Sequence, residues 1–189
     1  VLLAIGQWDI KRLLAYHSIS QMGYVVLSIG IGLILMARGT KPAVAVLAIA
    51  GGLFHMVNHA VFKGLLFLNA GAIEHRIHTR NLKEMGGLSK DMPGTSATSF
   101  VASMSISGIP PFNGFFSKWM VYQGLLEKAS MLTAGYQIWM LVCLILAVFG
   151  SALTLASFMK CLHAIYFGIR PEHLNQVFET SPNHWIPTG

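Results

Sequence analysis

The chain has 189 residues, of which 54% are hydrophobic and only 11% are charged. A soluble domain carries about 25% charged residues, so this composition excludes an ordinary soluble protein and favours a chain surrounded by a lipid bilayer. The net charge of +6 does not indicate nucleic-acid binding, because the basic residues are scattered between apolar stretches and form no single patch.

Four apolar stretches follow one another along the chain, and each exceeds the roughly 20 residues that cross a hydrocarbon core as a helix. We predict spans over residues 13–36, 44–73, 95–126 and 136–167, followed by a peripheral tail over 168–189. The fold class predicted is all-α, a polytopic transmembrane helix bundle. Because residues 1–8 read as the end of an earlier span, we interpret the whole chain as one domain fragment of a longer membrane protein.

The lysines and arginines outside the spans predict the orientation, because cytoplasmic loops carry an excess of them. One side has seven of these residues and the other has three. The side with seven contains the 74–93 loop and the 168–189 tail, which we therefore predict to be cytoplasmic. The seven are Lys11, Arg12, Arg76, Arg80, Lys83, Lys90 and Arg170, and the three are Arg38, Lys41 and Lys128.

The third apolar stretch is interrupted at residues 109–114, which include Pro110, Pro111 and Gly114. Proline removes a backbone donor and breaks the helical ladder, and broken helices persist in membranes only where protein or a wet cavity surrounds them. Such breaks recur at the ion or substrate sites of transporters. Lys118 follows one turn later, which favours an ion site, although a purely structural kink is the alternative.

The second, third and fourth spans each contain one lysine, namely Lys63, Lys118 and Lys160, and none contains an acid. An ionisable residue inside a membrane is a candidate functional group, and a lysine without a nearby anion can take up and release a proton. Lys160 lies near the end of its span and could instead extend its amine to the headgroups. Lys63 lies well inside its span, so this alternative is weakest there.

His55, His59 and Lys63 are spaced four residues apart, which places all three on one helix face with about 6 Å between successive residues. Histidine titrates near neutral pH and can relay protons, so we predict a proton path through these residues and Lys118. Paired histidines could also bind zinc, but no acid or cysteine completes a ligand set and Lys63 would repel the metal.

Three further residues, His17, Lys160 and His163, are candidates for the path or for the point where protons reach it. The alternative for His17 is helix–helix packing, the usual role of polar residues in membrane helices. The chain has no glycine-rich phosphate loop, no cysteine cluster for iron–sulfur and no nucleophile triad. Any redox chemistry must therefore belong to other subunits.

Three motifs resemble one known family. They are DIKRLLAYHSISQMGY at residues 9–24, HMVNHAVFKGLLFL at 55–68, and MGGL at 85–88 followed by SISGIPPFNGFFSK at 105–118. In this order they resemble the C-terminal half of three related groups: the antiporter-like components of complex I (the NADH-quinone oxidoreductase L, M and N type), the A-type and D-type components of the Mrp antiporter, and the membrane arm of energy-converting hydrogenases. His17 and residues 155–164, LASFMKCLHA, look most like the hydrogenase and Mrp members.

The resemblance implies a subunit that moves protons along a buried Lys/His axis, with Lys118 near the outer half-channel. It implies membrane-subunit partners, including antiporter-like neighbours, in a prokaryotic cytoplasmic membrane. The chain itself would hold no cofactor and catalyse no reaction, and iron–sulfur, flavin or NiFe centres would lie in partner subunits. Two alternatives stay open, a Mrp-type Na⁺/H⁺ antiporter component without a redox partner and a passive structural module.

Overall fold

The computed structural model describes residues 1–39, 42–126, 134–171 and 174. Within these residues the chain is helical, and the nearest approach to a strand is a single bridge between Asp9 and Asn81. The predicted all-α membrane bundle is confirmed. The helices are α1 (Leu2–Ile5), α2 (Ile10–Ala37), α3 (Pro42–Ile77), α4 (Pro93–Ser107), α5 (Asn113–Leu126) and α6 (Ala134–Leu162), with a 3₁₀ turn at Leu82–Glu84 and a π-helical turn at His163–Phe167 that continues α6.

Three helical segments are long and apolar enough to cross a membrane: α2 with 28 residues, α3 with 36, and Gly135–Phe167 with 33. The predicted spans 13–36, 44–73 and 136–167 fall inside them, while the depth at which lipid begins stays a prediction. Lys41 and Lys128, used in the orientation argument, and most of the predicted tail lie outside the described residues.

The start of α2 is fixed from two directions. The Asp9 side chain accepts a hydrogen bond of 2.9 Å from the backbone N–H of Arg12 and so caps the helix. The loop after α3 returns to the same place, because the Leu82 N–H donates to the Trp8 carbonyl at 2.8 Å and the Ile10 N–H donates to the Arg80 carbonyl at 3.0 Å. The loop therefore closes over one end of the bundle.

Helices α2 and α3 approach each other closely through small residues. The Ser28 hydroxyl donates to the Ala48 carbonyl at 2.6 Å. A methyl group built on Gly32 would lie 2.9 Å from the Ala45 carbonyl oxygen, so a larger residue would push the helices apart. Small residues at interfaces are the usual means by which membrane helices gain van der Waals contact. This contact brings the polar faces of α2 and α3 together.

The predicted helix break is present, and its geometry follows from the sequence. Helix α4 ends at Gly108, which has a φ of +78° and ψ of 40°. Its N–H donates to the Ser105 carbonyl at 3.1 Å and the next N–H, of Ile109, donates to the Met104 carbonyl at 3.2 Å. These are the two bonds of a glycine-terminated helix end. Helix α5 restarts at Asn113, whose side-chain oxygen accepts from the N–H of Gly114 at 3.0 Å.

Gly114 is required because the two half-helices touch there. A Cβ built at this position would lie 1.7 Å from the Ser105 carbonyl oxygen. We expect Gly114→Ala to destabilise the protein by about 3 kcal/mol, the upper end of the usual cost of overpacking, as measured by thermal unfolding of the purified parent protein. Gly71→Ala is the control, since nothing lies within 4 Å of its added methyl group, and equal stability of the two variants would contradict the prediction.

Candidate functional site

Lys118 lies at the break, with 1% of its surface exposed. Its Nζ donates to the Ile106 carbonyl at 2.8 Å and approaches the Ser107 carbonyl at 3.4 Å. In an unbroken helix these carbonyls would accept from residues 110 and 111, which are Pro110 and Pro111 and have no N–H. The two prolines therefore leave free the two carbonyls that receive the ammonium group. The negative end of the α4 dipole adds to the stabilisation of the cation.

Ser151 of α6 completes the surroundings of this amine. Its hydroxyl lies 3.0 Å from Lys118 Nζ and 2.8 Å from the Ser107 carbonyl oxygen, to which it donates. The amine also lies 4.9 Å from the centre of the Tyr24 ring, which contributes a cation–π contact from α2. The three N–H groups of a charged Lys118 thus face three neutral oxygens supplied by α4 and α6.

His55 on α3 is fully buried and connects α2 to α5. Its Nδ1 lies 2.8 Å from the hydroxyl of Ser117, and its Nε2 lies 3.1 Å from Oε1 of Gln21. The Ser117 hydroxyl also lies within 3.1 Å of the Gly114 carbonyl, where it can donate. Since Ser117 precedes Lys118 in sequence, the predicted histidine and the predicted lysine are joined through α5.

Lys63 lies one turn after His59 on the same face of α3 and is 5% exposed. Its Nζ donates to the backbone carbonyl of Leu14 on α2. The same carbonyl accepts from the Ser18 hydroxyl at 3.3 Å. The aromatic rings of Phe67 and Phe158 lie 5.7 and 6.0 Å from the amine. As at Lys118, the charged group rests on a neutral oxygen and aromatic surfaces.

His59 lies between His55 and Lys63 along the buried face of α3, as the spacing predicts. Its ring packs edge-on against Phe62, with 5.5 Å between ring centres. Its Nε2 is buried and has no hydrogen-bond partner among the described residues. The structure therefore brings the three α3 residues onto one face, but His55 and Lys63 bond to other helices and not to the next residue of the row.

His17 is fully buried on α2, where its Nε2 lies 2.8 Å from the Ser157 hydroxyl of α6. The ring also packs against Phe158, with centres 4.8 Å apart. Within the described part of the chain, His17 Nδ1 has no hydrogen-bond partner. His17 thus lies inside the bundle, three residues after the carbonyl that receives Lys63.

Lys160 and His163 lie at the end of α6, away from Lys118. The Lys160 amine donates to the carbonyls of Ile5 and Gln7 at 2.6 and 2.9 Å, and it lies 4.1 Å from the Trp8 ring centre. It therefore caps the carboxyl end of α1. His163 begins the π-helical turn and its side chain is exposed. Among the described residues, no hydrogen bond joins Lys160 or His163 to the residues around Lys63 and Lys118.

The carboxylates in the described ranges lie at one end of the bundle and not beside the buried lysines. Glu74 pairs with Lys11 at 2.6 Å and with Arg80 at 2.5 Å, and Asp91 pairs with Arg170 at 2.6 Å. Across residues 1–39, 42–126, 134–171 and 174, no cluster of three or more histidines, cysteines or acids could hold a metal ion. The buried cations are thus held by dipoles and aromatic rings.

Sequence reasoning missed three residues of this site: Gln21, Ser117 and Ser151. Serine and glutamine in membrane helices usually pair helices, so residue type alone gives no signal. The positions of two of these residues do give a signal. Gln21 follows His17 by four residues on the face that α3 covers, and Ser117 directly precedes Lys118.

Residues 1–154 match the model of a known family, described as NADH:quinone oxidoreductase/Mrp antiporter, transmembrane. Two curated relatives represent its hydrogenase and antiporter branches. Hydrogenase-4 component B of Escherichia coli K12 is 36% identical over 98% of this chain and 28% of its own length. A Na⁺/H⁺ antiporter subunit of Alkalihalophilus pseudofirmus OF4 is 37% identical over 84% of this chain and 20% of its own length.

Two solved structures contain the same arrangement of helices. The archaeal membrane-bound sulfane sulfur reductase, a respiratory membrane complex, matches with a TM-score of 0.75 and 36% identity over 96% of this chain and 26% of the matched chain. The Mrp complex of Dietzia sp. DQ12-45-1b matches with a TM-score of 0.73 and 30% identity over 89% of this chain and 27% of the matched chain.

The chain spans only 28% and 20% of the length of these two curated relatives. The resemblance predicted from the three motifs is confirmed, including its extension to both the hydrogenase and the Mrp members. The chain is an integral membrane protein, and it belongs to the NADH:quinone oxidoreductase/Mrp antiporter transmembrane family.

Proposed function

We propose that this chain forms part of a membrane subunit that moves protons along a buried axis of lysines and histidines, driven by redox chemistry in other subunits. The observation that carries the proposal is the pair of buried amines, Lys63 and Lys118. Each is bound to neutral oxygens in an apolar bundle, and no described carboxylate lies within 4.0 Å of either.

A proton site must tolerate both of its charge states. A carboxylate beside an amine would hold it charged, whereas a carbonyl or hydroxyl oxygen leaves the neutral amine accessible. The protonation state of such an amine then responds to a charge on a neighbouring subunit, because two charges interact strongly where the dielectric constant is low. Lys63 and Lys118 fit this requirement. His55, on the same helix as Lys63, contacts Gln21 of α2 and Ser117 of α5, the residue before Lys118.

The residues proposed for the path are Lys63, Lys118, His55 and His59, with the break at Pro110, Pro111 and Gly114 supplying the carbonyls. Three residues are secondary candidates for the path or for proton access: His17, Lys160 and His163. His17 is the strongest of these, since it is buried and hydrogen-bonded to Ser157. Lys160 is the weakest, since its contacts hold α1.

The remaining parts of the proposal concern the host assembly. We propose a complex I-like or energy-converting hydrogenase complex in a prokaryotic cytoplasmic membrane, with antiporter-like neighbours and with iron–sulfur, flavin or NiFe centres in partner subunits. The 74–93 loop and the 168–189 tail would face the cytoplasm. Relatives from the hydrogenase and respiratory assemblies support this choice.

A Na⁺/H⁺ antiporter component without a redox partner is the second candidate, supported by the Mrp relatives. Sodium binds to several oxygen ligands, such as backbone carbonyls at a helix break. At this break the carbonyls of Ile106 and Ser107 face the Lys118 amine, and the described acids lie at the surface, so protons are the better-supported ion. A passive structural module is the third candidate. Its weakness is that burying two amines costs stability that a merely structural bundle has no reason to give up.

Sealed vesicles that contain the complete parent complex provide the test. Turnover is started with Na⁺ present and with Na⁺ replaced by choline, and the external pH is recorded. Proton uptake that continues without Na⁺ and requires the redox partner subunits is expected. Uptake that needs Na⁺ and no redox partner would support the antiporter, and the absence of any ion movement at full turnover would support the structural module.

A further inference from the structure

Two serine hydroxyls each lie between a titratable side chain and a backbone carbonyl. Ser117 is fully buried, 2.8 Å from His55 Nδ1 and 3.1 Å from the Gly114 carbonyl oxygen. Ser151 lies 3.0 Å from Lys118 Nζ and 2.8 Å from the Ser107 carbonyl oxygen. Each hydroxyl carries one proton and can also accept, so it can donate either to the carbonyl or to the titratable side chain. The Ser151 hydroxyl also lies beside the hydroxyls of Tyr24 and Tyr122, which can donate to it.

We propose that Ser117 and Ser151 are positioning residues that reverse their hydrogen bonds when His55 and Lys118 change protonation state, so that no buried polar atom loses its partner. The proposal rests on the proton-path function and goes beyond it, since it assigns a role to residues outside the lysine and histidine axis.

At His55 the direction follows from the orientation of the Gln21 amide, whose Nε2 has no hydrogen-bond partner among the described residues. The Gln21 Oε1 atom accepts only, and it lies 3.1 Å from His55 Nε2. Neutral His55 therefore carries its proton on Nε2, and Nδ1 accepts from the Ser117 hydroxyl. When Nδ1 takes up a proton from a hydronium ion of the path, the ring donates to Ser117 Oγ and the Ser117 hydroxyl turns to the Gly114 carbonyl. One proton is added and each ring nitrogen keeps its partner.

At Lys118 the same reversal uses different atoms. The charged amine donates to Ser151 Oγ while the hydroxyl donates to the Ser107 carbonyl. When the amine gives a proton to a water molecule of the path, which becomes a hydronium ion, the nitrogen gains a lone pair and the Ser151 hydroxyl can turn to donate to it. The ammonium keeps three donors on three oxygens before the loss, and the neutral amine keeps an N–H donor for the Ile106 carbonyl after it.

These reversals matter because an unpaired buried polar group costs about 1–3 kcal/mol. If a change of protonation left such a group unpaired, this free-energy cost would be added to the barrier of the proton transfer and would lower its rate. The charged and titratable groups that face His55 are His59 on its own helix, Tyr24 from α2 with ring centres 5.7 Å apart, and Lys118 from α5. None of these supplies a donor to His55 Nδ1, which leaves Ser117 as the partner in the described contacts.

The experiment compares Ser117→Ala and Ser117→Thr in vesicles that hold the complete parent complex, at matched assembly and redox turnover. Loss of the hydroxyl is expected to lower the initial rate of proton uptake about fivefold or more, as follows from the loss of one buried hydrogen bond, and threonine is expected to restore most of it. Ser28→Ala is the control, because Ser28 is also a buried serine and, within the part of the chain that the structure describes, its hydroxyl donates to the Ala48 carbonyl and contacts no titratable side chain.

A spectroscopic readout separates positioning from packing. In the parent complex labelled with ¹⁵N-histidine, the His55 signal is identified by its loss in His55→Gln. We expect neutral His55 to carry its proton on Nε2, and Gln21→Met to produce a mixture of tautomers. Wild-type uptake in Ser117→Ala, equal loss in the alanine and threonine variants, or a Nδ1-protonated neutral ring in the wild type would each overturn the proposal.

These outcomes are distinct from failure of the proton-path function itself. If Lys118→Ala also leaves uptake unchanged, Lys118 is not on the path and the proton-path proposal itself fails at this residue. If Lys118→Ala abolishes uptake while Ser117→Ala does not alter it, the path stands and the serine reversal is wrong.

Discussion

Lys118→Ala is expected to lower proton uptake by the parent complex at least about tenfold while redox turnover and insertion continue. A positioned proton-transfer group contributes about 10²–10⁴-fold to the rate of the step that it serves, so the loss of one such group should dominate the overall rate. Uptake is measured in sealed vesicles by the change in external pH, and it is normalised to the amount of assembled complex and to redox turnover.

Alanine also removes the donor that satisfies the Ile106 carbonyl, whereas the Ser107 carbonyl keeps its bond from Ser151. One unpaired buried acceptor costs about 1–3 kcal/mol, so a modest loss of thermal stability is expected beside the loss of uptake. Lys118→Arg separates the two effects. Arginine stays charged in proteins and can donate to both carbonyls, so it should preserve more stability than alanine but not uptake.

The matched control is Lys90→Ala, which removes the same charge from an exposed loop position. It should leave uptake per complex unchanged. Wild-type uptake in Lys118→Arg would show that a fixed positive charge is sufficient and that Lys118 does not carry the proton. Wild-type uptake in Lys118→Ala would remove Lys118 from the path altogether.

Much of this site could be predicted from sequence because its strongest features are local. The spacing of His55, His59 and Lys63 fixes their shared face through the helical repeat, and all three are buried on α3. The positions of Pro110 and Pro111 fix the break. In an α-helix each carbonyl accepts from the N–H four residues later. Because Pro110 and Pro111 have no N–H, the sequence also identifies the two carbonyls that they leave free, those of residues 106 and 107.

The rest depended on which helix faces meet, and a single sequence does not encode that visibly. Gln21 and Ser151 reach the site from α2 and α6, and each lies more than 30 residues along the chain from the side chain that it contacts. From the sequence, Lys160 could belong either to the membrane surface or to the path. The choice could not be made because its partners, the carbonyls of Ile5 and Gln7, are more than 150 residues away along the chain. Those contacts arise only when the bundle closes.

Lys63 and Lys118 have similar surroundings. Both lysines are charged groups in an apolar bundle, and both rest on backbone carbonyls that can accept a further donor: those of the helix break for Lys118 and that of Leu14 on α2 for Lys63. Carbonyls stabilise a cation without neutralising it. The charge therefore remains available to act on, and to be acted on by, the next ionisable group.

Lys63→Ala is expected to lower proton uptake at least about tenfold as well, by the same proton-transfer argument, but with a smaller loss of stability than Lys118→Ala. The difference follows from the acceptor. The Leu14 carbonyl keeps a hydrogen bond from the Ser18 hydroxyl at 3.3 Å when the lysine is removed, so this buried acceptor is not left unpaired. Uptake and thermal unfolding are measured on the same preparations of the parent complex.

The two variants together distinguish a path from an assembly defect. If Lys63 serves the path, uptake falls in both variants while thermal stability falls mainly in Lys118→Ala. A loss of uptake that tracks the loss of stability across both variants and Gly114→Ala would instead show that packing limits the rate. Unchanged uptake in Lys63→Ala at matched assembly would remove Lys63 from the path and leave its contact with the Leu14 carbonyl as a structural one.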